Sequence, residues 1–319
     1  MIRITAVVLT LAACLAQVSS HVAFQGAGRG QADATPVSAP TAHGFFVAGP
    51  DFTGIIDEQG KTQWAAPRAG ARDGWVLPDG NVVIAWSNEV LEFRYGSHDV
   101  VWRYGLQEPN QEIGTVQRLG NGLTLVTELG TSPRILEVDA TGAVVTTVAL
   151  QPETENAHMQ TRMARKLADG TYRVPHLLAF AVKLYRADGT VIGTIATDLE
   201  ELGGRDAENW PFTAIDLPNG NVLVGCTHGN KVVEFTPEGE VAWVLRNVEV
   251  GGIINDACGV QRLPNGNTVI ASYNAKSGPR MFEVDRDKNI VWSYDGPNRA
   301  HHFQILTTNG QPLPGPLLR

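Results

Sequence analysis

The chain has 319 residues, 18% of them charged, a formal net charge of −8 and an isoelectric point near 5.5. That balance excludes the basic footprint of a nucleic-acid binder. Lys and Arg form no dense run, which also argues against a membrane-surface patch.

The first twenty residues carry Arg3 in a short basic head, followed by the nearly all apolar or small stretch 4–15. This is the layout of a secretory signal peptide, and it is too short and poorly flanked for a transmembrane helix. Within it, Leu11-Ala12-Ala13-Cys14 resembles the bacterial lipobox, in which the cysteine becomes the lipidated first residue; the rival cut follows Ser20. Either cut implies export, to the periplasm, the cell surface or the medium, and a lipid on Cys14 is the one membrane attachment the sequence offers. Residues 21–43 read as a flexible tether rich in Gly, Ala, Ser, Gln and Pro, which cannot bury enough surface to order itself.

From residue 44 to 310 the chain reads as one repeated unit. Turn glycines fall at Gly80, Gly122, Gly170, Gly220, Gly266 and Gly310, a period of about 46 residues that matches a four-stranded propeller blade. The clearest copy runs over 259–296. There Leu263-Pro264-Asn265-Gly266 separates two apolar runs, and its Asn-Gly pair signals a type I′ hairpin, which needs φ > 0 at both central residues.

Blades two to six are expected over 74–104, 114–150, 162–197, 212–247 and 258–295. The first blade has three strands, 45–49, 53–57 and 61–66, and lacks an innermost one, which 302–306 can supply. Pairing the chain ends removes the open sheet edges. The predicted fold is therefore all-β, a six-bladed propeller of four-stranded antiparallel blades in a single domain, with 311–319 as a tail.

Third strands share a register that places Glu92, Glu137, Glu234 and Glu283 at one position. Alternation predicts a solvated face for them. Trp64, Trp102, Trp243 and Trp292 share a later phase and are expected to pack between neighbouring blades. Cys226 and Cys258, on inner strands of adjacent blades, are either bridged, which export would permit, or two buried thiols.

Tight turns belong to one face of such a ring and the long connections to the other. The long segments are 67–73, 106–113, 151–161, 198–211, 248–257 and 296–301. Variable loops on a rigid scaffold are the usual mount for binding chemistry, so the site is expected at that channel mouth. It holds His158, His176, His228, His301 and His302, with Arg162, Asn209, Trp210, Asn255, Asp256, Tyr273 and Arg299 as ligand contacts and Arg72, Glu112, Lys276 and Arg280 among their neighbours. Histidine can act near neutral pH as acid, base, nucleophile or metal ligand. No spacing matches a local metal motif, and no nucleophile elbow, phosphate loop or dinucleotide fingerprint stands in the required context.

The repeated Leu-Pro-Asn-Gly-Asn of 217–221 and 263–267, and the Gly-to-Trp phase of Gly60 to Trp64 and Gly239 to Trp243, resemble the quinoprotein-like propellers, particularly the arylsulfate sulfotransferase-like group. The resemblance spans about 44–310 and rests on scaffold motifs. It implies an exported protein with a histidine nucleophile at the channel mouth, for which His302 is the nearest candidate, with His228 and His158 as helpers and Arg162 as an anion contact. Quinone-dependent members of the wider group have eight blades and a calcium-plus-quinone constellation, so no cofactor is expected here. Two functions remain open: a monomeric exported propeller that binds a polar small molecule, glycan or peptide, and an extracytoplasmic transferase, lyase or hydrolase using a channel-mouth histidine.

Overall fold

Six antiparallel sheets follow one another along the chain in the computed structural model, which describes residues 40–314. The signal segment, Cys14, most of the tether and the end of the tail lie outside the described residues. Each of the five continuous blades runs strand by strand in chain order. Their innermost strands are Asp73–Val76, Asn110–Arg118, Arg165–Lys166, Asn209–Asp216 and Ala257–Arg262. The remaining blade pairs His43–Ala48 with His302–Thr308, from His43 opposite Thr308 to Ala48 opposite His302, with a register shift between Gly44 and Phe45. The two chain ends therefore share one sheet. The ordered ring begins one residue earlier than expected, at His43, and extends to Gln311–Pro312, which pairs with Thr307 and Thr308 as a short fifth strand.

Six of the apolar core clusters each join two neighbouring blades. Val126 and Leu136 of the third blade pack with Trp75 and Val90 of the second, and Phe45 and Ile305 of the closing blade pack with Met281 and Val269 of the sixth. A single blade exposes apolar residues on both faces, so burial is completed only when the ring closes.

The tight turns depart from the type I′ expectation. At Leu263-Pro264-Asn265-Gly266 the Gly266 amide donates to Leu263 O at 2.9 Å and Leu263 N donates to Asn267 O at 2.8 Å, and only Gly266 has positive φ. Pro264 locks φ near −65°, which forbids a type I′ turn and selects a type I turn followed by a left-handed glycine. The Asn309-Gly310 turn, with φ of 50° and 78°, is the one glycine turn of the six in which both residues are left-handed.

The four repeat glutamates are not on a solvated face. Glu92, Glu137, Glu234 and Glu283 are all buried, and each meets a side chain from the next blade: Arg118, Lys166, Arg262 and His43 respectively. Asn81, Asn221 and Asn267, the residues after the turn glycines, donate to Glu92, Glu234 and Glu283 of their own blades. A period of two predicts which face a residue occupies but not what stands opposite it. The tryptophans do join blades. The indole N–H of Trp64, Trp102 and Trp243 each donates to a backbone carbonyl of the following blade, at Ser97, Asp139 and Arg286. Cys226 and Cys258 are free, buried thiols.

The interior of the ring is filled. Arg165 reaches from the fourth blade to Asp73 of the second, with N–O distances of 2.9 and 3.2 Å. Its guanidinium lies 5.0 Å from the Trp75 ring, which packs against His302 at 4.3 Å.

Candidate functional site

Above this layer, on the face of the long connections, lies a cavity of about 200 Å³ lined by residues from all six blades or their connections. Each group reaches it for a local reason. His158 sits in a single 3₁₀ turn, Ala157–Met159, capped by Asn156, whose Oδ1 accepts from His158 N at 3.1 Å. Gln160 fastens this turn to the third blade by exchanging hydrogen bonds with Gly130 N and O, both at 2.8 Å.

His228 ends the second strand of its blade in the left-handed region, φ 54°, and Asn230 and Asp256 nearby share that conformation at 51° and 58°. Side chains that hydrogen-bond locally, Asn and Asp, visit this region most readily. Here Asp256 Oδ1 accepts from His228 N at 2.9 Å and Asn230 Oδ1 accepts from Asp256 N at 2.7 Å. The result aims His228 over Trp210, ring centroids 4.1 Å apart and nearly parallel. Left-handed non-glycine residues clustered at one pocket mark a place where geometry is held against local preference.

His301 stacks on Tyr273 at 4.6 Å, and Phe212 lies nearly parallel to it at 6.3 Å. Its Nδ1 stands 3.2 Å from Ala71 O, so that nitrogen carries the proton and Nε2 keeps a lone pair. Burial, with Arg72, Arg162 and His158 nearby, lowers its pKa to about 4 despite the carbonyl. At neutral pH it is an uncharged imidazole.

Arg72 pairs with Glu112 at 2.9 Å and stands 3.2 Å from His158 Nδ1. Burial would raise the Glu112 carboxyl, but His158, Arg72 and Arg162 outweigh it and hold it below the usual range. Arg162 is only 7% exposed. Its guanidinium donates to the carbonyls of Thr161 and His158 and lies 5.8 Å from the Phe212 ring. Among the described residues no carboxylate stands within ion-pair distance of it. Burial lowers its pKa to about 10, which leaves it charged at neutral pH.

The structure thus brings His158, His228, His301, Arg162, Trp210, Asp256 and Tyr273 to one cavity. The other expected residues are elsewhere. His302 is buried below, beside Asp73 and Trp75. His176 is fully buried, between the Tyr185 hydroxyl at 2.9 Å and Glu153 at 3.2 Å, and burial lowers its pKa against the pull of Glu153. Asn209 holds backbone, donating to Thr197 O and Leu202 O. Asn255 and Arg299 line a neighbouring groove. Phe212 and Cys258, at inner-strand starts, line the cavity without being among the expected residues; position at the loop end of an inner strand is the signal that marks them. Among the described residues no cluster of three or more His, Cys, Asp or Glu is arranged to hold a metal ion.

No family model and no curated protein matches the chain. Solved structures share its fold. A protein of unknown function from Bacteroides caccae aligns with a TM-score of 0.72 at 19% identity, covering 82% of this chain and 98% of its own. A streptogramin B lyase aligns at 0.57 and 13% identity, covering 82% and 86%. A catalytically inactive variant of virginiamycin B lyase from Staphylococcus aureus, with quinupristin, aligns at 0.56 and 12%, covering 81% and 86%. At these identities the likeness is one of fold: this chain is a six-bladed β-propeller.

Proposed function

We propose that the chain is an exported propeller whose loop-face cavity binds a polar small molecule, glycan or peptide through an anionic group seated on Arg162. The observation that carries this reading is the buried guanidinium with carbonyl partners and, among the described residues, no carboxylate within ion-pair distance. A buried charge without a directly paired partner is costly; Glu112 acts on Arg162 only through space, and an arriving carboxylate or sulfate would supply a direct counter-charge in the bidentate form that arginine favours. Trp210, Phe212 and Tyr273 offer apolar walls to the rest of the ligand. The test is thermal stabilisation by a panel of uronates, acidic peptides and aryl sulfates, since a ligand raises apparent stability by mass action. Loss of every stabilising hit in Arg162→Gln is the expected result; an anionic hit that stabilises the variant equally rejects the site.

The enzyme reading, an arylsulfotransferase-like transferase or a lyase or hydrolase, draws support from His301, a neutral imidazole with an available Nε2 at the cavity. It would run through His301 rather than His302, which does not line the cavity. Acceptor-dependent release of nitrophenol from its sulfate ester, or a new conjugated double bond in a uronate oligomer, abolished by His301→Gln, would establish it. Export, lipidation at Cys14 and a monomeric state belong to the same proposal. Sequencing the mature N-terminus, labelling with palmitate and sedimentation of the purified protein test them in turn.

A further inference from the structure

Beside the cavity, and sharing Asn274 with it, runs an open groove of about 550 Å³ lined by Asn255, Asn274, Ala275, Lys276, Arg280 and Arg299. Three of the six are cations and none is acidic, in a chain whose net charge is −8. Lys276 and Arg280 have no carboxylate within ion-pair distance among the described residues. Arg299 is held in place by Asp51, through Nε at 2.6 Å and one Nη at 2.8 Å, and its guanidinium lies 5.3 Å from the ring of Tyr273, the residue whose ring also stacks on His301 at the cavity.

We infer that the cavity and this groove are successive subsites for one linear polyanion, an acidic oligosaccharide, with one anionic group on Arg162 and the next on Lys276 and Arg280. This rests on the anion-binding reading above and extends it from one charge to a repeated one. The Asn255 side-chain amide has no hydrogen-bond partner among the described residues, and amides that donate and accept at once suit neighbouring sugar hydroxyls. Half-buried Tyr273 lines the cavity and links it to the groove, its ring stacked on His301 and approached by the guanidinium of Arg299, which lines the groove. A basic groove in an acidic protein also focuses an anionic ligand toward the cavity.

The experiment is calorimetric titration of the mature protein with galacturonic acid and its dimer and trimer, and with a sulfated disaccharide. A single-stranded oligonucleotide of similar charge serves as a rival. The trimer or the sulfated disaccharide should bind at least about tenfold tighter than the monosaccharide, the gain of one added charge-assisted contact. Lys276→Glu, at an exposed position, should remove that gain while leaving monosaccharide affinity unchanged; Lys276→Ala with Arg280→Gln should do the same. If the monosaccharide binds through Arg162 and lengthening adds nothing, or if the gain survives Lys276→Glu, the second subsite is wrong while the first stands. If neither the monosaccharide nor any oligomer binds, both readings fall. An oligonucleotide that binds as tightly as the trimer rejects the sugar as the ligand class.

Discussion

His43, on the first strand of the described chain, places Nε2 2.7 Å from Glu283 Oε2 of the sixth blade, and its Nδ1 stands 2.9 Å from Thr308 Oγ1. One buried imidazole thus touches the N-terminal strand's partner near the C-terminus and the neighbouring blade at once. It occupies the place that Arg118, Lys166 and Arg262 take at the other repeat glutamates.

Removing it should loosen ring closure. His43→Ala leaves a buried carboxylate short of a donor, at a cost of about 3 kcal/mol. The pH response should change as well: burial pushes the Glu283 carboxyl up, but His43 and Asn267 outweigh it and hold it below the usual range, a contribution the variant loses in large part. A lowered carboxylate stabilises the fold above its unfolded pKa and loses that contribution as pH falls through the folded value. The variant should therefore unfold at higher pH than the wild type in acid titration followed by circular dichroism; coincident curves would contradict the role.

Arg162→Met should behave in the opposite sense. The native guanidinium is buried with no carboxylate in ion-pair distance among the described residues, Glu112 acting on it only through space, and an apolar isostere relieves that cost. Thermal melting without ligand should show the variant at least as stable as the wild type, while ligand stabilisation disappears. A marked fall in melting temperature would mean that the carbonyl contacts to Thr161 and His158 are the reason for Arg162.

His301 carries a pH signature of its own. Its folded pKa, about 4, lies below the ordinary histidine value near 6.5, so the unfolded chain binds more protons between these two values. Stability should be unaffected by His301 above about pH 6.5 and decline as pH falls toward about 4. Urea midpoints for His301→Gln should fall less steeply across that window than those of the wild type. Parallel slopes would place the ring in a more hydrated setting.

Cys226 and Cys258 are buried, and burial raises both thiols, Cys226 to about 12. Thiolate is the reactive form. Brief alkylation of the native protein should leave both unmodified by peptide mass mapping, and alkylation in denaturant should label both. A disulfide-linked peptide would contradict the free thiols.

The propeller could be read from the chain because its cause is repetitive: turn glycines about 46 residues apart and a strand missing from the first blade that residues 302–306 supply. The candidate site was legible in part. Its face followed from loop length, and His158, His228, Arg162, Asp256 and Tyr273 came from that face. His302 and His301 are adjacent in sequence, yet one joins Trp75 and Asp73 in the filled interior and the other stacks on Tyr273 above it. His301 stands just before the strand that His302 opens, and the sequence does not say which of the two neighbours faces the open side.

By itself the sequence determined the all-β class, the blade count, the closure by both chain ends and the face that carries the long connections, because each depends on local turn chemistry and period. Only the tertiary structure decided that the repeat glutamates are buried ion-pair partners, that Asp73 and Arg165 fill the channel, and that Arg162 lies charged beside a cavity with no carboxylate in ion-pair distance among the described residues. These are contacts between residues that sequence distance keeps apart, and burial and partnership come into being only when the ring closes.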